Sequence, residues 1–135
     1  MEYRIREAAE LLGVSDDTLR RWIDSGRMDS GIDESGRQVV SGERLAALAV
    51  ELAGPDELPG HRALTPRSAR NTFTGLVTRV VRDTVMAQVE IQAGPHRVVS
   101  LISREAADEL GLEPGVLAVA SVKATHVVVE TPREN

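Results

Sequence analysis

Apolar positions along the chain keep one period near the start and another after the middle, and that switch divides it. Ile5, Ala8, Ala9, Leu11 and Leu12 recur at helical spacing, which predicts a first helix with an apolar stripe. Gly13 ends it, because glycine accepts the left-handed backbone common just past a helix C-terminus. Val14 and Ser15 form a turn, after which Ser15 or Asp16 caps a second helix through Thr18, Leu19, Trp22 and Ile23. The acidic pair Asp16 and Asp17 in its first turn suits the helix dipole, and Gly26 closes it. Two helices joined by so short a glycine-containing turn predict a helix-turn-helix unit. Trp22 belongs by its spacing on the face packed against the first helix.

Residues 28 to 36 are rich in Gly, Ser and Asp, and Arg37-Gln38-Val39-Val40 reads as a strand, so Glu34-Ser35-Gly36-Arg37 is the tip of a hairpin, a wing. Ser41 caps a third helix from Gly42 to about Leu52, with Leu45, Leu48, Ala49 and Leu52 on its inner side. Gly54 to Arg67 holds Pro55, Pro59 and Pro66, has no periodicity and reads as a linker.

Beyond it the period becomes that of strands. Thr72 to Arg82, Val85 to Gln92, Arg97 to Ile102, Val116 to Lys123 and His126 to Glu130 are strand candidates separated by Asp83-Thr84, Gly94-Pro95 and Glu113-Pro114-Gly115. Between the third and fourth lies a short helix capped by Ser103 and ended by Gly111. Five short strands with that helix follow the order of an OB-type barrel. The expectation is an α+β chain of two domains: a small winged helix-turn-helix over 1–53, a linker over 54–67, and a five-stranded OB-like β-barrel with one short helix over 68–131, with a frayed tail beyond.

Composition sharpens this. At 135 residues the chain holds two small domains, each short of a self-sufficient core, and with no cysteine the support expected is oligomerisation. No apolar run is long enough to span a bilayer and the first residues carry no signal-peptide pattern, which points to a cytoplasmic protein with no membrane partner. Residues 1–60 contain 7 Arg against 13 Asp and Glu, a net of −6; residues 61–135 contain 9 basic and 8 acidic residues, a net of +1. Phosphate contacts need positive charge, so any nucleic-acid face in the acidic half must rest on where its arginines stand. His61, His96 and His126 are scattered and suggest no metal site; no nucleophile with its partners and no glycine-rich phosphate loop is present, so an enzyme is not expected.

Donor chemistry concentrates in the second half. Ser68 offers a hydroxyl, Arg70 a planar fork of donors, and the intervening backbone N–H groups converge if the segment curls. Ser103 marks a helix start, whose free N–H groups and dipole favour anions, and Lys123, the sole lysine, is a compact charge at a strand end. Taken singly, these are ordinary turn, cap and surface residues. Together, Ser68-Ala69-Arg70-Asn71, Ser103 and Lys123-Ala124-Thr125 resemble the Mop or TOBE domain of molybdate-binding proteins over nearly all of residues 68–130. The resemblance implies molybdate or tungstate as ligand, with no other cofactor or metal, held by Ser68, Arg70, Ser103 and Lys123 with backbone help near Ala69, Asn71 and Ala124. It also implies that the first segment comes from one subunit and Ser103 and Lys123 from its neighbour, so that at least a dimer, up to a hexamer, is needed. Ala106 stands where relatives often carry a further serine.

In the first half, Ala8-Ala9-Glu10-Leu11-Leu12-Gly13-Val14-Ser15 and Thr18-Leu19-Arg20-Arg21-Trp22 resemble small MerR-like and excisionase-like DNA-binding domains. That resemblance implies a second helix in the major groove of double-stranded DNA, with Asp17, Thr18, Arg20 and Arg21 at the contact and Arg37 reaching a phosphate from the wing. The combined expectation is a molybdate- or tungstate-responsive DNA-binding transcriptional regulator. Two alternatives stand beside it: a storage oligomer for molybdate, or a molybdenum-pterin, that does not bind DNA, and an excisionase-like architectural protein whose barrel only assembles it.

Overall fold

The computed structural model describes residues 1–53 and 68–133. The chain divides into two compact units, Met1–Glu57 and Leu58–Asn135; the linker expected at 54–67 lies outside the described residues.

In the first unit β1 (Glu2–Arg4) is followed by α1 (Ile5–Leu12), α2 (Asp16–Asp24), β2 (Gly31–Ile32), β3 (Gln38–Ser41) and α3 (Gly42–Ala53). Gly13 adopts a left-handed φ of 72°, which turns its own N–H and that of Val14 back onto the Glu10 and Ala9 carbonyls. Ser15 then caps α2, its Oγ accepting from the Thr18 N–H at 3.1 Å. Ile5, Ala8, Ala9, Leu19, Met28, Val40, Leu45 and Leu48 form the core, against which half-buried Trp22 packs with the Arg27 guanidinium 4.7 Å over its ring. The helix-turn-helix is therefore held by α1, α2 and α3 around one small core.

Three details differ from the sequence expectation. Leu11 is 64% exposed, and on α3 only Leu45 and Leu48 are buried, Ala49 and Leu52 staying outside, because so small a unit covers a narrower stripe than the periodicity marks. An unexpected strand, β1, pairs antiparallel with β3 through Tyr3↔Val40, giving a sheet of order β1-β3-β2. The hairpin tip is a turn from Asp33 to Gly36, where the Asp33 carboxylate accepts from the Ser35 and Arg37 N–H groups, both at 2.9 Å.

The second unit contains β4 (Asn71–Arg82), β5 (Met86–Ala93), β6 (His96–Ser103), α4 (Arg104–Glu109), β7 (Leu117–Val122) and a 3₁₀ turn at Ala124–His126. Its sheet runs β6-β5-β4-β7, antiparallel throughout. β4 organises it: residues 71–76 pair with β7 and residues 76–82 with β5, the ladder shifting between Val77 and Arg79. Gly75 sits at this hand-over, so close to the Gln92–Ala93 backbone that a Cβ there would lie 2.2 Å from the Gln92 carbonyl oxygen. Val77, Val89, Ile91 and Leu112 form the core. Glu90 breaks the alternation: it is buried and ion-paired with Arg97.

The five-stranded barrel is not closed by the described residues. Among the described residues the sheet has four strands, and the fifth, expected at His126–Glu130, is not formed. The 3₁₀ turn leads instead into an unpaired stretch where Val128 and Val129 are 82% and 85% exposed. A strand exists only where a neighbour accepts its ladder, and here β6 and β7 are left as sheet edges. Between them opens an apolar groove of about 450 Å³, lined among others by Val98, Ile102, Leu117, Val119 and Val122.

Candidate functional site

Asn71 and Val122 form the last rung of the β4–β7 ladder, and the Asn71 side chain adds a hydrogen bond from Nδ2 to the Val122 carbonyl at 3.2 Å. Ser68, Ala69 and Arg70 lead into that rung, and Lys123 and Ala124 lead out of it. Six of the seven residues expected at the anion site thus meet at one end of β4. The main chain beyond Val122 curls, with the His126 N–H donating to the Lys123 carbonyl at 2.9 Å and that of Val127 to Ala124 at 3.3 Å.

Ser103 stands apart in the sheet. It pairs with Met86 at the start of β5, whose next residue, Ala87, pairs with Arg82, the last residue of β4. The residues just before Ser103 and Lys123, Ile102 and Val122, line the open groove, whereas Ser103 itself lines a separate hollow with Thr84, Val85 and Arg104 among others. The Ser103 Oγ accepts from the Ala106 N–H at 3.1 Å as the cap of α4, leaving its own proton free to donate outward.

Residues outside the expected set hold the segment around Ser103. Arg82 donates from Nε to Asp108 Oδ1 and from Nη2 to the Leu112 carbonyl, both at 3.0 Å. Arg104 donates from Nη1 to the Asp83 carbonyl at 3.1 Å. The Asp83 carboxylate accepts from the Met86 and Val85 N–H groups at 2.7 and 2.8 Å; these bonds, the one from Met86 foremost, with a smaller contribution from the Arg104 charge, hold its carboxyl below the usual carboxylate range. Spacing carried no signal for Arg82, since an arginine ending a strand has no local partner.

The arrangement supplies positive charge and donors without enclosure. Arg70 and Lys123 are exposed and neither forms an ion pair among the described residues. An oxyanion held here by one chain alone would keep most of its hydration, so selective binding needs a second surface over the site. No group of three or more His, Cys, Asp or Glu side chains among the described residues is placed to hold a metal ion.

On the first unit Asp17, Arg20 and Arg21 lie on the exposed face of α2, and Thr18 is half-buried. The Thr18 Oγ1 shares a hydrogen bond with Ser15 Oγ at 2.9 Å and accepts from Arg21 Nη2 at 3.3 Å. Arg37 has its main chain locked in the hairpin turn and its side chain exposed. Arg20, Arg21 and Arg37 have no acidic partner among the described residues.

A helix-turn-helix unit joined to a curled, OB-like sheet with exposed anion donors defines a two-part binding protein. Comparison with known families agrees with both parts: the TOBE domain matches residues 67–129 and a helix-turn-helix domain matches residues 2–40. The molybdenum-pterin-binding protein MopA of Rhodobacter capsulatus is 31% identical over 110 residues, 73% of this chain and 42% of MopA. Molybdenum-pterin-binding protein 2 of Clostridium pasteurianum is 36% identical over 63 residues, 46% of this chain and 93% of that protein. A solved molybdate-binding protein from Sporomusa ovata aligns at 31% identity and a TM-score of 0.48, over 50% of this chain and 100% of its own. The chain belongs to the Mop/TOBE family, with a helix-turn-helix domain in front; it spans less than half the length of MopA.

Proposed function

We propose that the protein is a molybdate- or tungstate-responsive DNA-binding regulator, with the oxyanion held between Mop domains of neighbouring copies by Ser68, Arg70, Ser103 and Lys123 and by main-chain N–H groups near Ala69, Asn71 and Ala124. The observation that carries this reading is the last β4–β7 rung, which residues 68–70 lead into and residues 123–124 lead out of with Arg70 and Lys123 exposed, on a sheet whose edges β6 and β7 have no further strand among the described residues. The valines at 127–129 are the natural filling for the groove of a second copy: they are apolar and exposed, and among the described residues they pair with no strand. Closing the barrel this way makes assembly and anion shelter one event. A shift in how the copies sit, favoured by the anion, then alters how two helix-turn-helix units meet DNA half-sites, because an effector moves an equilibrium only by its differential affinity for the two arrangements.

Titration calorimetry of the full chain with molybdate, tungstate and sulfate, with the assembled mass measured in the same buffer, tests the anion half. Selective binding of molybdate or tungstate by a dimer or larger assembly is the expected result, and absence of binding to an intact oligomer refutes it. Selection from random duplex DNA, with and without anion, tests the other half. The net −6 of residues 1–60 favours a second reading, a binding or storage oligomer that ignores DNA, and failure to enrich any sequence would establish that one.

A further inference from the structure

Two segments that carry proposed donors are both fastened to one strand. β4 begins at Asn71 and ends at Arg82; Asn71 reaches the carbonyl just before Lys123, and Arg82 reaches the helix that Ser103 caps and the turn after it. At the start, Asn71 Nδ2 holds the Val122 carbonyl at 3.2 Å, one residue before Lys123, in a part-buried setting. At the end, Arg82 holds the Leu112 carbonyl and the Asp108 carboxylate, each at 3.0 Å, and so fixes the helix that Ser103 caps. Asn71's amide is thereby already engaged with its own chain, and Arg82's fork is spent on α4 and the turn after it.

From this geometry we infer that the side chains of Asn71 and Arg82 are positioning groups: they hold the Lys123 and Ser103 segments in place for the oxyanion without themselves touching it. The inference rests on the anion site described above. β4 is suited to the task because its close passage at Gly75 and its shift between Val77 and Arg79 make it one bent strand shared by both halves of the sheet. Lys123 follows its strand end as the cap of a 3₁₀ turn and forms no ion pair among the described residues, so loss of the Asn71 bond frees the turn rather than the sheet. Groups that orient a ligand shell from behind commonly change affinity by roughly 10- to 100-fold when removed.

The test uses the full chain in three forms: unaltered, Asn71→Ala and Arg82→Ala, with Asn71→Ser and Arg82→Lys as milder variants should either fail to fold. Molybdate affinity is measured by calorimetry, and amide hydrogen exchange without anion is followed by mass spectrometry over 120–126 and 103–110. Each alanine variant should bind molybdate about tenfold or more weakly. Exchange should rise at 120–126 in Asn71→Ala and at 103–110 in Arg82→Ala, each leaving the other window unchanged. Weakened binding with unchanged exchange would make the residue a direct ligand and overturn the inference. Raised exchange with unchanged affinity would make it a plain structural bond and overturn it equally. No molybdate binding by the unaltered chain would instead sink the anion site itself, and the positioning roles with it.

Discussion

Replacing Gly75 by alanine should weaken the second unit more than any other single added methyl group. The Cβ would stand 2.2 Å from the Gln92 oxygen, 2.6 Å from the Gln92 carbonyl carbon and 2.8 Å from the Ala93 Cα, where ordinary contact begins near 3.4 Å. All three atoms are backbone, on a strand paired on both sides, so no side chain can swing away; β4 or β5 must move by roughly an ångström. Overpacking costs about 1–3 kcal/mol when side chains share the strain, and this site belongs at the upper end or above. A unit of this size has a stability of only ~3 to 9 kcal/mol. Thermal unfolding followed by circular dichroism at fixed protein concentration should show the second unit's transition lowered by roughly 10 to 20 °C. Molybdate affinity should fall as well, since the displaced strand holds both the Lys123 and the Ser103 segments. A change within about 0.5 kcal/mol, the range of an ordinary surface substitution, would refute the claim that β4 and β5 are locked together there.

Substituting Val128 and Val129 by aspartate should lower the assembled mass in light scattering while leaving each unit folded, because both residues are exposed within the chain; an unchanged mass would exclude the valines from the assembly contact. Asp83 has its carboxyl held below the ordinary value of 3.8, so the stability it contributes is present above that value and is lost as pH falls through the lower, folded-state one. Asp83→Asn should therefore flatten the acid side of the melting-temperature profile, and an unaltered acid limb would show that the turn's hydrogen bonds do not depend on the charge. Arg20→Ala with Arg21→Ala should weaken DNA binding and reduce its salt slope by about 2 while leaving molybdate affinity intact; unaltered operator binding would remove α2 from the contact.

What could be read from the sequence was what local chemistry decides. Ser15, Ser41 and Ser103 each accept from a main-chain N–H three residues on, as an N-cap must, and Gly13 and Gly111 take the positive φ that ends a helix. What escaped depends on partners far along the chain. Glu2–Arg4 is too short to show alternation and is a strand only because β3 lies beside it. Val127–Val129 has strand composition and no strand, because its own chain offers it no ladder. Glu90 looks outward by alternation and is buried because Arg97, on the neighbouring strand, covers it. The same division holds at the candidate site: its expected donors are named from residue types in order, whereas the grouping of Lys123 with Asn71, and of Ser103 with Arg82 and α4, follows from register and side-chain contacts.

Register also bears on the charge of the first unit, where a net of −6 argues against DNA. The arginines there fall into two sets. Arg6 faces Glu10 at 3.7 Å, Arg27 faces Glu51 at 3.3 Å and also covers Trp22, and Arg44 pairs with Asp29. These three spend their charge on neighbouring carboxylates. Arg20, Arg21 and Arg37 of the second helix and the hairpin, and Arg4 of β1, have no such partner among the described residues. The field a duplex would meet is therefore that of unneutralised guanidiniums on one helix face, set against a background of acids that repels phosphate elsewhere. Such a surface would give weak sequence-independent attraction, so on the proposed function occupancy would have to come from base contacts by α2 and from two copies acting together. On that same proposal, an anion that controlled how copies assemble would have leverage over DNA binding that it would lack in a strongly basic protein, whose single copies already cling to any duplex.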